Sequence, residues 1–204
     1  MFAFAYRFWR AVPWRDSSLA EPEPFANVIA MTMRQYYDWQ TAGGAGDVML
    51  LVETLEHLEI PWCMIGGLAV NHWAEEAMAT AVVDIVIATE RVDEAVAAPV
   101  AAGFVAQRHA WSINLAGRSN LSVQIRTENF YQTFPSRSVP ADVNGILMRV
   151  AACEDTLAGK VLAYSDKDRR PSKRQKDLAD IARLLEPHPQ LRERVPAEVL
   201  ERLV

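Results

Sequence analysis

Cysteine is scarce in this 204-residue sequence, which holds only Cys63 and Cys153. Each sits in an apolar context, with no second cysteine or histidine at metal-ligand spacing. That excludes a disulfide framework and leaves two buried thiols in a reducing compartment. No run of about 18 apolar residues occurs, so no membrane span is expected and the chain is expected in the cytoplasm. A strong charge imbalance is also missing. The net charge is −5, so nothing global attracts nucleic acid or an anionic membrane, and any such contact needs a local basic patch. The histidines, His57, His72, His109 and His188, are scattered, with no i, i+4 metal pair. No nucleophile triad is readable.

What is present is the make-up of a globular domain. Half of the residues are apolar and 23% are charged, and the length is sufficient to bury a core. Residues 1–14 (MFAFAYRFWRAVPW) are rich in aromatics, but Arg7 and Arg10 break the apolar run that a signal peptide requires. Two readings stay open there: an amphipathic helix lying on a partner or on the domain, or an extension ahead of a start at Met31 or Met33. Residues 15–26 read as a linker, 27–40 as a short helix and 41–46 as a flexible break.

From Asp47, placed as an N-cap, the pattern turns helical, with Val48, Leu51, Val52, Leu55 and Leu58 on one face. A buried strand over 60–65 runs into Gly66-Gly67. A short helix over 68–76, a β-branched strand over 81–88 and a helix over 90–102 follow. Residues 111–115 and 121–126 alternate as a strand pair around a Gly/Asn loop. Residues 127–145 read as irregular, 146–150 as a strand, and 154–164, 173–185 and 197–204 as helices. The expected organisation is an extension with linker (1–46), an α/β core (47–150) and a C-terminal helical subdomain (151–204).

The chemistry concentrates in residues 62–88. A strand that ends in Gly66-Gly67 and passes at once into a helix aims free backbone amides, and the positive end of the helix dipole, at whatever sits above the glycines. That is a phosphate site. Glycine is required because a Cβ would block close approach. On the next strand Asp84 stands where a carboxylate could hold Mg²⁺ against that phosphate.

This string resembles the nucleotidyltransferase superfamily, in which an apolar strand, a diglycine and a helix precede Arg-x-Thr-x-Asp-x-Asp. It is most similar to the AbiEii-like branch: Ile65-Gly66-Gly67-Leu68-Ala69-Val70-Asn71 and Thr80 fit that branch's pattern. Residues 150–186 look like its C-terminal helices, with Asp155, Lys160, Asp177 and Asp180 at matching positions. The resemblance implies a nucleotidyltransferase-like mixed sheet with flanking helices and a C-terminal helical subdomain. It implies an NTP bound with Mg²⁺ and nucleotidyl transfer to an RNA (tRNA among the candidates) or protein hydroxyl. An antitoxin-type protein partner is implied as well.

The same comparison shows gaps. Val82 stands at the first metal carboxylate, Met78 at the arginine, and Gln124 at the expected third carboxylate. Two-metal transfer needs several anionic oxygens, so two readings remain: an active transferase completed by Glu75, Glu76 or Glu90, or a catalytically degenerate nucleotide- or RNA-binding module. Residues 167–176 (KDRRPSKRQK) hold six basic residues and one acid, an inversion of the overall charge. They read either as a phosphate or RNA site or as a solvated loop between helices. The expected phosphate contacts are thus Gly66, Gly67, Thr80, Arg170, Lys173 and Lys176. Asp84 is the metal carboxylate, Lys160 meets phosphate as a point charge, and Asp177 orients that lysine or a base. Trp73, beside the glycine turn, is a candidate to stack on a base.

Overall fold

In the computed structural model, the described residues are 44–203 except 79, 81, 88 and 144. The expectations for residues 1–43 therefore lie outside the described part. The first described helix, α1 (Ala45–His57), buries Val48, Leu51, Val52 and Leu55. Its N-cap is Gly44, not Asp47. Asp47 serves a distant loop instead: its carboxylate accepts hydrogen bonds from Ser119 N–H at 3.0 Å and from Ser119 Oγ at 2.5 Å. Gly117 makes room, because a Cβ there would collide with the Asp47 carboxylate.

Strand β1 (Trp62–Ile65) is buried on both faces, and helix α2 (Gly66–Trp73) begins at the next residue. Strand β2 (Val82–Ile87) follows, then a single 3-10 turn (Thr89–Arg91) and helix α3 (Val92–Ala101). Three further strands are β3 (Val105–Arg108), β4 (Ser112–Ala116) and β5 (Ser122–Arg126). The stretch expected to be irregular carries two 3-10 turns (Asn129–Tyr131 and Pro135–Arg137) and strand β6 (Val139–Val143), which pairs with β7 (Ile146–Val150). Helices α4 (Cys153–Ser165), α5 (Pro171–Leu185) and α6 (Ala197–Leu200) complete the described chain, with a 3-10 segment (Pro189–Arg194) before α6. The expected boundaries fall inside α1 (46/47) and between β7 and α4 (150/151).

The seven strands form one mixed sheet in the order β3-β4-β5-β2-β1-β7-β6. β1 runs antiparallel to β2 and parallel to β7, and β2 runs parallel to β5. Strand periodicity sorts the side chains. On one face Trp62, Met64, Val83, Ile85, Ile113, Leu115, Val123 and Ile125 join residues of α1 and α3 in the main core. The opposite face carries a small apolar cluster of Cys63, Ile65, Val86, Tyr131, Phe134 and Ala151. The rest of that face, towards β4, carries Asp84, Gln124, Asn114 and Arg126 beside Val82. Helices α4 and α5 pack on each other and on α2, around a second core of Val70, Leu157, Ile181, Leu184 and Leu185.

Candidate active site

The sheet register builds the floor of the site. Ile65 at the end of β1 is opposite Asp84, Asp84 is opposite Gln124, and Gln124 is opposite Asn114. Opposed residues share a face, so one row runs from the diglycine corner through Asp84 and Gln124 to Asn114. Gln124 Nε2 donates to Asn114 Oδ1 at 3.0 Å. Val82 and Gln124 line the same cleft, so the two positions that lack the expected carboxylates do face the site. The cleft has a volume of about 860 Å³, bounded by this row, the 126–134 segment, α4 and α5.

Asp84 and Gly66 are in direct contact. Gly66 has φ +72°, in the left-handed region, and a Cβ placed on it would overlap the Asp84 carboxylate. The lone aspartate thus lies against the phosphate corner, half-buried on the cleft floor. Burial pushes its carboxyl above the ordinary range, and Lys160, Arg126, Lys176 and Arg169 pull in the opposite direction. At Gly67, Lys176 Nζ lies 3.4 Å, and Thr80 Oγ1 3.5 Å, from the position a Cβ would take. Five expected residues, Gly66, Gly67, Thr80, Asp84 and Lys176, therefore converge on one corner.

The remaining cations divide into two groups. Arg126 is held by Glu128. Arg169 Nε lies 2.5 Å from Asp177 Oδ2. Lys160, expected to meet phosphate, lines the cleft and is held in a buried ion pair: Nζ lies 2.6 Å from Asp180 and 3.3 Å from Asp177. Asp177 and Asp180 are 1% and 0% exposed, and leaving either carboxylate unpaired there is costly, which fixes the lysine between them. Asp177, expected to orient that lysine or a base, contacts both Lys160 and Arg169. By contrast, Arg170, Lys173 and Lys176 line the cleft and have no carboxylate partner among the described residues.

Other expectations do not converge. Glu75, Glu76 and Glu90 are exposed and line no part of the cleft. Trp73 is no base platform: its Nε1 donates to the Ala151 carbonyl at 2.9 Å, and its ring meets His72 and His188 edge-on. Cys63 and Cys153 are buried and free. Burial pushes their thiols up to about 12 and about 11, too high for a nucleophile at neutral pH. Sequence reasoning missed Arg126, Glu128 and the Arg137–Asp155 pair, bonded at 2.8 and 2.9 Å. Arg126 was accessible from the two-residue period of β5, which puts it on the face of Gln124.

The donor set can be tested against divalent metal. Among the described residues no group of three or more His, Cys, Asp or Glu is placed to hold an ion. Asp84 is the one carboxylate of the polar row, and Glu128, Asp155 and Asp177 are each tied to an arginine. Four cations already face Asp84. These residues do not fit a protein-held Mg²⁺ site.

A family model described as nucleotidyl transferase AbiEii toxin, Type IV TA system, matches residues 69–204. The chain belongs to this family. The match begins just past Gly66-Gly67, so the case for that corner rests on its geometry. Among solved structures, the AbiEii-family chain is similar to ANT(2'')-Ia in complex with adenylyl-2''-tobramycin, with a TM-score of 0.59 and 13% identity over 78% of this chain and 98% of that one. A solution structure of the antibiotic-resistance factor ANT(2'')-Ia gives 0.53 and 12%, over 79% and 97%. At these identities the likeness shows the nucleotidyltransferase fold. No curated protein matches the sequence. No described helix is long and apolar enough to cross a membrane.

Proposed function

We propose that the cleft binds a nucleoside triphosphate and that the chain is a nucleotide-binding member of its family with impaired transfer chemistry. The observation that carries this reading is that Arg170, Lys173 and Lys176, which have no carboxylate partner among the described residues, share a cleft with the diglycine corner. An unpaired lysine half-buried beside backbone amides at a helix start is an arrangement for phosphate oxygens. Gly66 and Gly67 would cradle the phosphates, Thr80 would bond them, and the three cations would offset their charge.

Impaired transfer follows from Val82 and Gln124. Two-metal chemistry distributes the triphosphate charge over ions held by several carboxylates. Valine offers no ligand, and Gln124, whose Nε2 donates to Asn114, offers only a neutral amide oxygen in place of a carboxylate. Losing one such charge costs about 10²–10³ in rate by analogy with other preorganised sites. The rival reading, an active enzyme that transfers a nucleotidyl group to an RNA or protein hydroxyl, is favoured by the close fit of Asp84 against Gly66. A cognate antitoxin-type protein is inferred from the family description alone.

The test pairs binding with transfer. Calorimetry with each of the four NTPs should show saturable binding, and its absence removes the nucleotide reading. Label from each α-³²P NTP is then followed onto total tRNA and onto co-purified protein, for the native chain and for Val82→Asp. Transfer that arises only after the substitution supports the impaired reading, and transfer by the native chain establishes the rival.

A further inference from the structure

We infer that this cleft takes its nucleotide as the metal-free polyphosphate, with Lys176 as the resident counter-charge over the diglycine corner. The inference rests on the nucleotide-binding reading and adds the ionic form of the ligand.

Three observations carry it. First, few cleft carboxylates are left to recruit a divalent ion: Asp84, Asp166 and Asp168 line the cleft without an arginine or lysine partner, and among the described residues no group of three is placed to hold an ion. Val82 and Gln124 occupy two of the expected positions, while Glu128, Asp155 and Asp177 are each neutralised by an arginine. Second, Lys160, Arg126, Lys176 and Arg169 all act on the Asp84 carboxylate. A dication beside Asp84 would compete with these cations for its carboxylate, and Lys176 is the one of the four with no carboxylate partner among the described residues. Third, Lys176 Nζ already stands over Gly67, 3.4 Å from the place of a Cβ, with Thr80 Oγ1 beside it. The ammonium is half-buried and has no carboxylate partner among the described residues. A phosphate on the corner amides would supply the partner it lacks.

Helix α5 makes the arrangement directional. Arg170 at its N-cap, Lys173 and Lys176 recur every three residues, so they lie along one side of the helix, and all three line the cleft. A chain of phosphates leaving the corner would meet Lys173 and then Arg170 along the same side. Both are exposed, whereas Lys176 is half-buried. The largest share of the phosphate interaction therefore falls to Lys176.

The experiment is calorimetry of the full chain with ATP, GTP, CTP, UTP and inorganic tripolyphosphate, once with Mg²⁺ and once with EDTA. The expected result is that the Kd of the preferred nucleotide changes by less than about threefold between the two conditions and that tripolyphosphate competes in EDTA. Lys176→Met should weaken binding in EDTA by about 10–100-fold, the worth of one charge-assisted hydrogen bond. Lys173→Met should cost less. Lys176→Gln repeats the measurement if the methionine variant melts early. Binding that vanishes in EDTA overturns the inference and leaves the nucleotide-binding reading standing, while no binding under either condition removes both. Unchanged affinity in both Lys176 variants overturns the assignment to that lysine.

Discussion

Arg183, on α5, donates from Nη2 to Asn71 Oδ1 on α2 at 2.8 Å, across 112 residues of sequence. Asn71 also grips the loop leading to β2: its Oδ1 accepts from Met78 N–H at 3.0 Å, and its Nδ2 donates to the Met78 carbonyl at 2.7 Å. Arg183 bonds the Glu76 carbonyl as well, and its Nη1 lies 2.9 Å from Asp180 Oδ1. Because Asp180 pairs with Lys160, a continuous set of charged contacts joins the cleft to the loop that delivers Thr80. Arg183→Met is expected to lower stability by about 2 kcal/mol or more, since one buried charge loses a partner. Hydrogen exchange should rise first in residues 74–80. Exchange that rises uniformly along the chain would contradict a local clamp.

Asp47 gives a second stability prediction. Its carboxylate closes the β4–β5 loop through Ser119, and the loop amide would be left without that acceptor in Asp47→Ala. The expected loss is about 1–3 kcal/mol, read as a drop in urea midpoint. Ser119→Ala should reproduce only part of it, because the backbone N–H bond survives.

How much of this was legible depended on the range of the interaction. The strand into Gly66-Gly67 and the helix after it were readable because each signal lies within a few residues. Asp84 and Gln124 were readable as inward positions because β2 and β5 alternate. Strand β6 was not: Pro140 lies inside it and argues against a strand. The proline is tolerated because β6 is the last strand of the sheet. β3 is the opposite edge, and its exposed Val105, Gln107 and Arg108 give no buried face to detect. At the site, the diglycine corner, Thr80 and the α5 cations could be chosen by residue type. The division of those cations into paired and unpaired could not. It depends on where Glu128, Asp177 and Asp180 come to rest, and for Lys160 and Asp180 that means two helices packed face to face.

The Asp84 carboxyl leads to a pH prediction. Its pKa in the folded chain is raised above the ordinary value of 3.8, chiefly by burial. Such a group contributes stability that is fully present below the unfolded value and is lost as pH rises through the folded value. Ionised Asp84 therefore costs the empty protein stability at neutral pH. Asp84→Asn keeps the shape and removes that cost. The variant should melt higher than the native chain at pH 7, and the gap should narrow as the pH falls towards 3.8 and below. A variant that melts lower than the native chain at pH 7 would mean that the surrounding cations, not burial, govern this carboxyl.

The two glycines of the corner separate backbone strain from ligand approach. Gly66 has φ +72°, and its missing Cβ is replaced by the Asp84 carboxylate. Gly66→Ala must pay for the left-handed backbone and displace Asp84, so it should destabilise by more than about 1 kcal/mol with or without ligand. Gly67 has an ordinary φ, and a Cβ there meets Lys176 Nζ and Thr80 Oγ1 only at van der Waals distance. Gly67→Ala should therefore fold with a nearly native melting temperature. Its methyl group would nevertheless project between the ammonium and the hydroxyl, where a phosphate oxygen is expected to sit. Loss of one charge-assisted contact predicts nucleotide affinity reduced about 10–100-fold. Thermal melts and calorimetry on the pair check both halves. If Gly67→Ala binds as tightly as the native chain, the phosphate does not rest on this corner.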